Sequence, residues 1–121
     1  MILADTGIWI DHIAAADRRL HALLESGRVV MHPMVIGELA MGSFRTRRET
    51  LADLEMLPHV QVGFHSDVLA FVDRHRLYGT GIGYIDAHLL VSARLTPHTK
   101  LWTRDRRLRL AAARFELADE D

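Results

Sequence analysis

Gly79-Thr80-Gly81-Ile82-Gly83-Tyr84-Ile85-Asp86-Ala87-His88-Leu89-Leu90-Val91-Ser92-Ala93 is the segment around which the chain is organised. Its three alternating glycines interrupt any helix or strand period. An apolar helix starts after them. At about 100° per residue from Tyr84, the residues Ile85, Leu89, Ala93 and Leu90 span an arc from about 100° to about 240°, and Asp86, at about 200°, falls inside it. A carboxylate on a buried face is costly unless it is paired, protonated or bound to a metal. The alternative is that Asp86 serves the helix end, as a cap or by favouring its positive N-terminus.

Outward from this helix, apolar runs alternate with helical patterns. Residues 1–4 read as a buried strand that runs into Asp5-Thr6-Gly7, and a short apolar helix opens at Ile8-Trp9-Ile10. Asp17 caps the next helix, with Leu20, Leu23 and Leu24 inward and Gly27 at its end. Val29–His32 is a second strand. Pro33 suits the first turn of a helix with Val35, Ile36 and Leu39 inward. Glu38 lies about 60° from Val35, at the edge of that face. A more polar helix covers about 47–57 and stops at Pro58. Val60–Val62 is a weaker strand, and Ser66 caps a helix reaching about Leu77. Beyond the central helix, Thr99–Thr103 is a strand ending at Arg104-Asp105. Arg106–Arg114 is a basic helix, and Phe115–Leu117 a last short strand. The expected fold is α/β: a parallel sheet of four to five strands covered by helices on both faces. One domain is expected over residues 1–121.

Composition narrows the function classes. There is no cysteine, which excludes disulfides and thiolate metal sites. Net charge is −1, so no global basic field advertises nucleic acid, and any such contact must be local. The first residues lack a basic start and a long apolar run, and no segment is long enough to span a membrane, so a cytoplasmic location is expected.

In parallel α/β sheets ligands bind beyond the carboxyl ends of the strands. Asp5 and Asp105 stand at such ends. Glu38 and Asp86 lie early in helices that the same rim can hold, so four acids can converge. Two like charges about 4 Å apart repel by about 4 kcal/mol at an effective dielectric of about 20. The usual remedies are protonation or a divalent cation. Oxygen ligands favour Mg²⁺ or Mn²⁺ over zinc, and such a site suits phosphodiester hydrolysis by an activated water.

Four segments carry a resemblance: Asp5-Thr6-Gly7-Ile8-Trp9-Ile10-Asp11, Gly37-Glu38-Leu39, Gly81–Leu90 and Leu101-Trp102-Thr103-Arg104-Asp105. In this order and spacing they resemble the PIN-domain family, and within it the VapC toxins of toxin–antitoxin pairs. The resemblance implies a three-layer α/β/α fold and a Mg²⁺- or Mn²⁺-dependent ribonuclease acting on tRNA or another structured RNA. It further implies a cognate antitoxin and a homodimer. Asp5, Glu38, Asp86 and Asp105 match its acidic quartet, and Thr6 and Thr103 the hydroxyls beside it. Gly7 departs from the serine that many relatives carry, without touching an acid.

Other residues read more simply. Asp11 is a solvated helix residue, and the eight histidines are surface or internally satisfied, with His88 away from the apolar arc. Trp9 and Trp102 sit in apolar runs and belong to the core. Arg45, Arg47 and Arg48 form one basic cluster. Arg104, Arg106, Arg107 and Arg109 form another beside Asp105, where Arg104, Arg106 and Arg107 are candidate RNA contacts. Leu51, Leu54 and Leu57 share one helical face, divided between core and a groove for a partner helix or dimer mate. Two other functions compete. One is a non-catalytic module that binds an antitoxin or operator DNA. The other is a Mg²⁺-binding phosphoacceptor receiver. The receiver needs an acidic pair after the first strand, an aspartate ending a central strand and a lysine after a late one. Here Asp5 has no acidic neighbour, Asp53 lies within a helical stretch and Lys100 precedes its strand.

Overall fold

The computed structural model of the chain describes residues 1–119. The last two residues of the expected domain, 120 and 121, lie outside the described residues. The elements run β1 (Ile2–Ala4), α1 (Thr6–Ala14), α2 (Arg18–Glu25), β2 (Val29–Val30), α3 (Pro33–Ala40), α4 (Arg47–Glu55), α5 (His65–Arg74), α6 (Tyr84–Leu95), β3 (Lys100–Trp102) and α7 (Arg106–Ala113). The sheet is parallel, with strand order β2-β1-β3. Ile2 and Leu3 lie opposite Val29 and Val30, and Ile2, Leu3 and Ala4 lie opposite Lys100, Leu101 and Trp102. Successive strand residues point to opposite faces. Ile2, Leu3 and Ala4 are all buried, so both faces of the central strand are covered.

The described residues form three strands, not four or five. The two missing strands contract to single parallel bridges, Met31 with His59 and Leu101 with Ala118. Near the first, Met31 N donates to Pro58 O and Val60 N to Met31 O, but Gln61 N turns to the Thr96 hydroxyl and the ladder stops. Near the second, the C-terminal turn of α7 takes the backbone instead. Leu117 N donates to Ala112 O and Glu116 adopts φ +57°, so only Leu117 O and Asp119 N reach Leu101. Helix α5 also begins and ends earlier than its sequence suggests. Phe64, rather than Ser66, is its cap residue, and the chain leaves it through Arg76 at φ +54°.

Helix α6 is buried over seven consecutive residues, Ala87–Ala93, so it is covered almost all round. This overturns the expectation for His88, which is 3% exposed. Trp9 and Trp102 are core residues as expected. Leu54 is buried, and Leu51 and Leu57 pack half-buried against the same main core. Leu54 thus belongs to the interior, while Leu51 and Leu57 each keep part of their surface outside it.

Candidate active site

Asp5 follows the last residue of β1, and its N–H donates to Trp102 O, which fixes it at the carboxyl edge of the sheet. There it caps α1. Its Oδ1 accepts from Thr6 N at 2.8 Å, and its Oδ2 accepts from Thr103 Oγ1 at 2.7 Å. Thr103, 2% exposed and just beyond β3, also accepts from Asp105 N at 3.0 Å, so one buried hydroxyl ties two of the acids together. Asp105 caps α7, its Oδ1 accepting from Arg107 N and Leu108 N at 2.9 and 3.1 Å. Arg109 reaches back over that turn to Thr103 O at 3.0 Å.

Glu38 arrives differently from its expected place. It lies in the last turn of α3 rather than early in it. It reaches the rim because α3 packs on α1, where Thr6 Oγ1 donates to Glu38 Oε1 at 2.5 Å. Asp86 does both things its sequence position allowed. Its Oδ2 accepts from Gly83 N at 2.9 Å and closes the first turn of α6, and the side chain is half-buried. Desolvation pushes its carboxyl above the usual range, and the charges of Asp5, Asp105 and Glu38 push it further, against the Gly83 hydrogen bond. The four acids therefore share one electrostatic field.

Among the described residues no three histidine or carboxylate side chains already form a metal cage. The donor set nevertheless fits a hard divalent cation. It is all oxygen, and Glu38 Oε2, Asp86 Oδ1 and Asp105 Oδ2 accept no hydrogen bond from the described residues. A cation among these oxygens would offset both the burial that chiefly raises Asp86 and the repulsion that adds to it. Thr6 and Thr103 orient Glu38 and Asp5, one hydroxyl to each.

The candidate RNA contacts divide. Arg104 is held by Asp11 and Asp17, which gives Asp11 an ion pair the sequence did not suggest. Arg107 lies across Gly81, where a Cβ would stand 2.7 Å from its Cδ. Arg106 is exposed. In the other cluster, Arg47 donates to Ala40 O. Beside Glu38 opens an apolar cleft of about 330 Å³, with Ile10, Ile13, Leu39 and Phe44 in its wall.

Sequence reading missed a histidine–tyrosine chain under the rim. Tyr84 Oη lies 2.6 Å from His65 Nδ1 and 2.8 Å from His88 Nε2, and the rings of His88 and His32 meet edge to face at 5.8 Å. The available signal was the i, i+4 spacing of Tyr84 and His88, which places both on one side of α6.

The family model described as "PIN domain" matches residues 2–114. The chain is 47% identical over 118 residues to Ribonuclease VapC32 of Mycobacterium tuberculosis (strain CDC 1551 / Oshkosh), covering 98% of this chain and 95% of that protein. The protein of the same name from strain ATCC 25618 / H37Rv is similar to the same extent.

Proposed function

The chain belongs to the PIN-domain family, and from that premise we propose that it is an endoribonuclease toxin of a toxin–antitoxin pair, working with a divalent metal. The observation that carries the reading is the hydrogen-bonded edge of the parallel sheet, where Thr103 ties Asp5 to Asp105, Thr6 holds Glu38, and Asp86 feels the charges of all three. The ion, Mg²⁺ or Mn²⁺, would be held by these four acids. Bound there, it would neutralise charge on the scissile phosphate and acidify a water. Thr6 and Thr103 would keep Glu38 and Asp5 aimed, and a carboxylate not engaged by the ion would orient the attacking water. The oxygen of that water bonds to phosphorus as the P–O3′ bond breaks, and the departing 3′ oxygen is protonated. The products therefore carry 5′-phosphate and 3′-hydroxyl ends. No step requires the ribose 2′-hydroxyl as nucleophile.

The rest of the reading concerns partners. The substrate would be tRNA or another structured RNA. A cognate antitoxin would neutralise the enzyme, and the apolar cleft beside Glu38 supports this part, because a partner segment laid there would cover an acid of the site. Residues 1–121 would act as one domain, as a homodimer in the cytoplasm. Among the described residues no helix is long and apolar enough to cross a membrane.

The test is cleavage of total RNA with mapping of fragment ends. Cleavage should stop in EDTA and in Asp5→Ala, and the ends should be 5′-phosphates. Cleavage that persists in EDTA and leaves cyclic phosphates would refute both the metal and the acidic quartet.

A further inference from the structure

At the end of α6 remote from Asp86 lies a hollow of about 340 Å³, lined by Asp67, Ala70, Phe71, Arg74, His75 and Arg94. Arg94 lies two turns beyond Asp86, about 12 Å along the helix at ~1.5 Å per residue. Phe71 and His75 make one wall of the hollow aromatic, and Phe115 packs against both rings. The ring centroids of Phe71, His75 and Phe115 lie 4.5, 5.0 and 4.8 Å apart as three pairs. The Arg94 guanidinium stands 5.7 and 5.6 Å from the Phe71 and Phe115 centroids, and that of Arg114 stands 5.4 Å from Phe115. Arg114 also donates to His75 O at 2.8 Å.

Among the described residues these arginines have no ion-pair partner. Arg104 finds Asp11 and Asp17, and Arg19 finds Asp119. Arg74, Arg94 and Arg114 form no ion pair with a carboxylate of the described residues. The single acid lining the hollow, Asp67, has its Oδ2 engaged by Phe64 N. Desolvation and then the charges of Arg94, Arg74 and Arg114 hold the His75 imidazole below its usual range.

The positive charge continues toward the acids. Arg114 lines a second hollow of about 220 Å³ together with Leu77, Thr80 and Arg107. Arg107 crosses Gly81, which at φ +92° has no side chain to block it, and two residues later Gly83 N binds Asp86. Arg74, Arg94, Arg114 and Arg107 thus form a strip from the far hollow to the rim of the acidic site.

We propose that this strip is a second subsite for single-stranded RNA, in which the four arginines neutralise successive phosphates leading away from the scissile bond and a base lies against the Phe71–His75 wall. The proposal rests on the ribonuclease reading of the acidic site. Guanidiniums backed by aromatic faces suit this ligand, because they offer charge to the backbone and a π surface to any base. A sequence-tolerant grip of this kind lengthens the footprint of the enzyme without choosing the cut.

The test is binding and cleavage by the full chain with Arg74→Gln, Arg94→Gln and the double substitution. Arg74 is exposed at the end of α5, so its variant reads the strip even where loss of the Arg94–aromatic contact weakens the fold. In EDTA, anisotropy of a ~12-nucleotide single-stranded RNA should show the salt slope reduced by about 0.7 for each arginine removed. With metal, the double variant should cleave that RNA with kcat/KM lowered about fivefold or more, through KM, and should cleave a ~4-nucleotide RNA like the wild type. An unchanged salt slope overturns the proposal. So does equal loss on the long and the short RNA, or tighter binding of duplex DNA than of single-stranded RNA. Absence of cleavage in every form, wild type included, would sink the ribonuclease reading while the binding arm still decides the strip.

Discussion

Asp86 answers to two demands that pull its charge in opposite directions. The Gly83 N–H favours the carboxylate, while burial and the three neighbouring acids favour the neutral form, and the second set prevails. An acid whose folded pKa is raised contributes its full stability below its unfolded pKa and loses it as pH rises through the folded value. At neutral pH without metal the ionised Asp86 therefore works against the fold. Asp86→Asn keeps an acceptor for Gly83 and removes the charge. It should raise the melting temperature in EDTA at neutral pH by a few degrees, since 1 kcal/mol is worth about 3–6 °C in a chain of this size. The gain should shrink as pH falls through the raised pKa, and cleavage should drop on the order of 100-fold or more. A lower melting temperature at neutral pH would show that the carboxylate supports the native state. At this scale much of the site was legible, because Asp5 and Asp105 each follow an apolar run that had to be a buried strand. The hydroxyl contacts were not. Thr6 to Glu38 spans 32 residues and Thr103 to Asp5 spans 98, and no local pattern encodes either.

Among the elements, α3 depends on a buried histidine. His32 caps it, Nδ1 accepting from Met34 N at 3.0 Å, and the residue has no exposed surface. Its Nε2 and His88 Nδ1 are buried without a partner among the described residues. Desolvation, with smaller contributions from His88 and His59, lowers the His32 pKa to about 4. The unfolded chain takes up this proton near the ordinary histidine value, about 6.5, and the folded one only near 4. Between those values the unfolded state binds more protons, so stability falls with acidification. The slope from this one residue is at most about 1.4 kcal/mol per pH unit, and His12, His75 and His88 shift the same way. Urea midpoints measured from pH 7 to 4 should decline, and His32→Asn, which retains a capping oxygen, should flatten the decline. A midpoint independent of pH over that range would exclude the buried neutral histidine. The sequence revealed most helices through caps and stop signals such as Asp17, Pro33 and Gly27. It overstated the strands because an apolar triplet carries no information about a pairing partner. Gln61 N found a threonine hydroxyl, and Leu117 N a helix carbonyl.

For the whole molecule, the acidic edge is a store of repulsion that ligand binding can release. A cation that binds only the folded form stabilises it by mass action, about 2.7 kcal/mol at a free concentration 100 times its Kd. Saturating Mn²⁺ should therefore raise the melting temperature of the wild type clearly and that of Asp86→Asn much less. No shift in the wild type would mean that these acids do not make a cation site. The arginines make the corresponding point about positive charge. The basic run after β3 looked like a nucleic-acid patch, but Arg104 and Arg109 are occupied by bonds within the chain. Arg74, Arg94 and Arg114, far apart in sequence, gather near the end of α6 without an ion pair among the described residues. The α/β alternation, the strand-end acids, the capped helix behind the glycine loop and the core tryptophans were legible along the chain, because each is a local pattern of burial and backbone preference. The strand count, the reach of Glu38 to the rim, the burial of His32 and His88 and the gathering of the arginines emerged with folding alone. Each of those depends on which distant segments pack together, and packing couples residues through space, where no period along the chain records the distance.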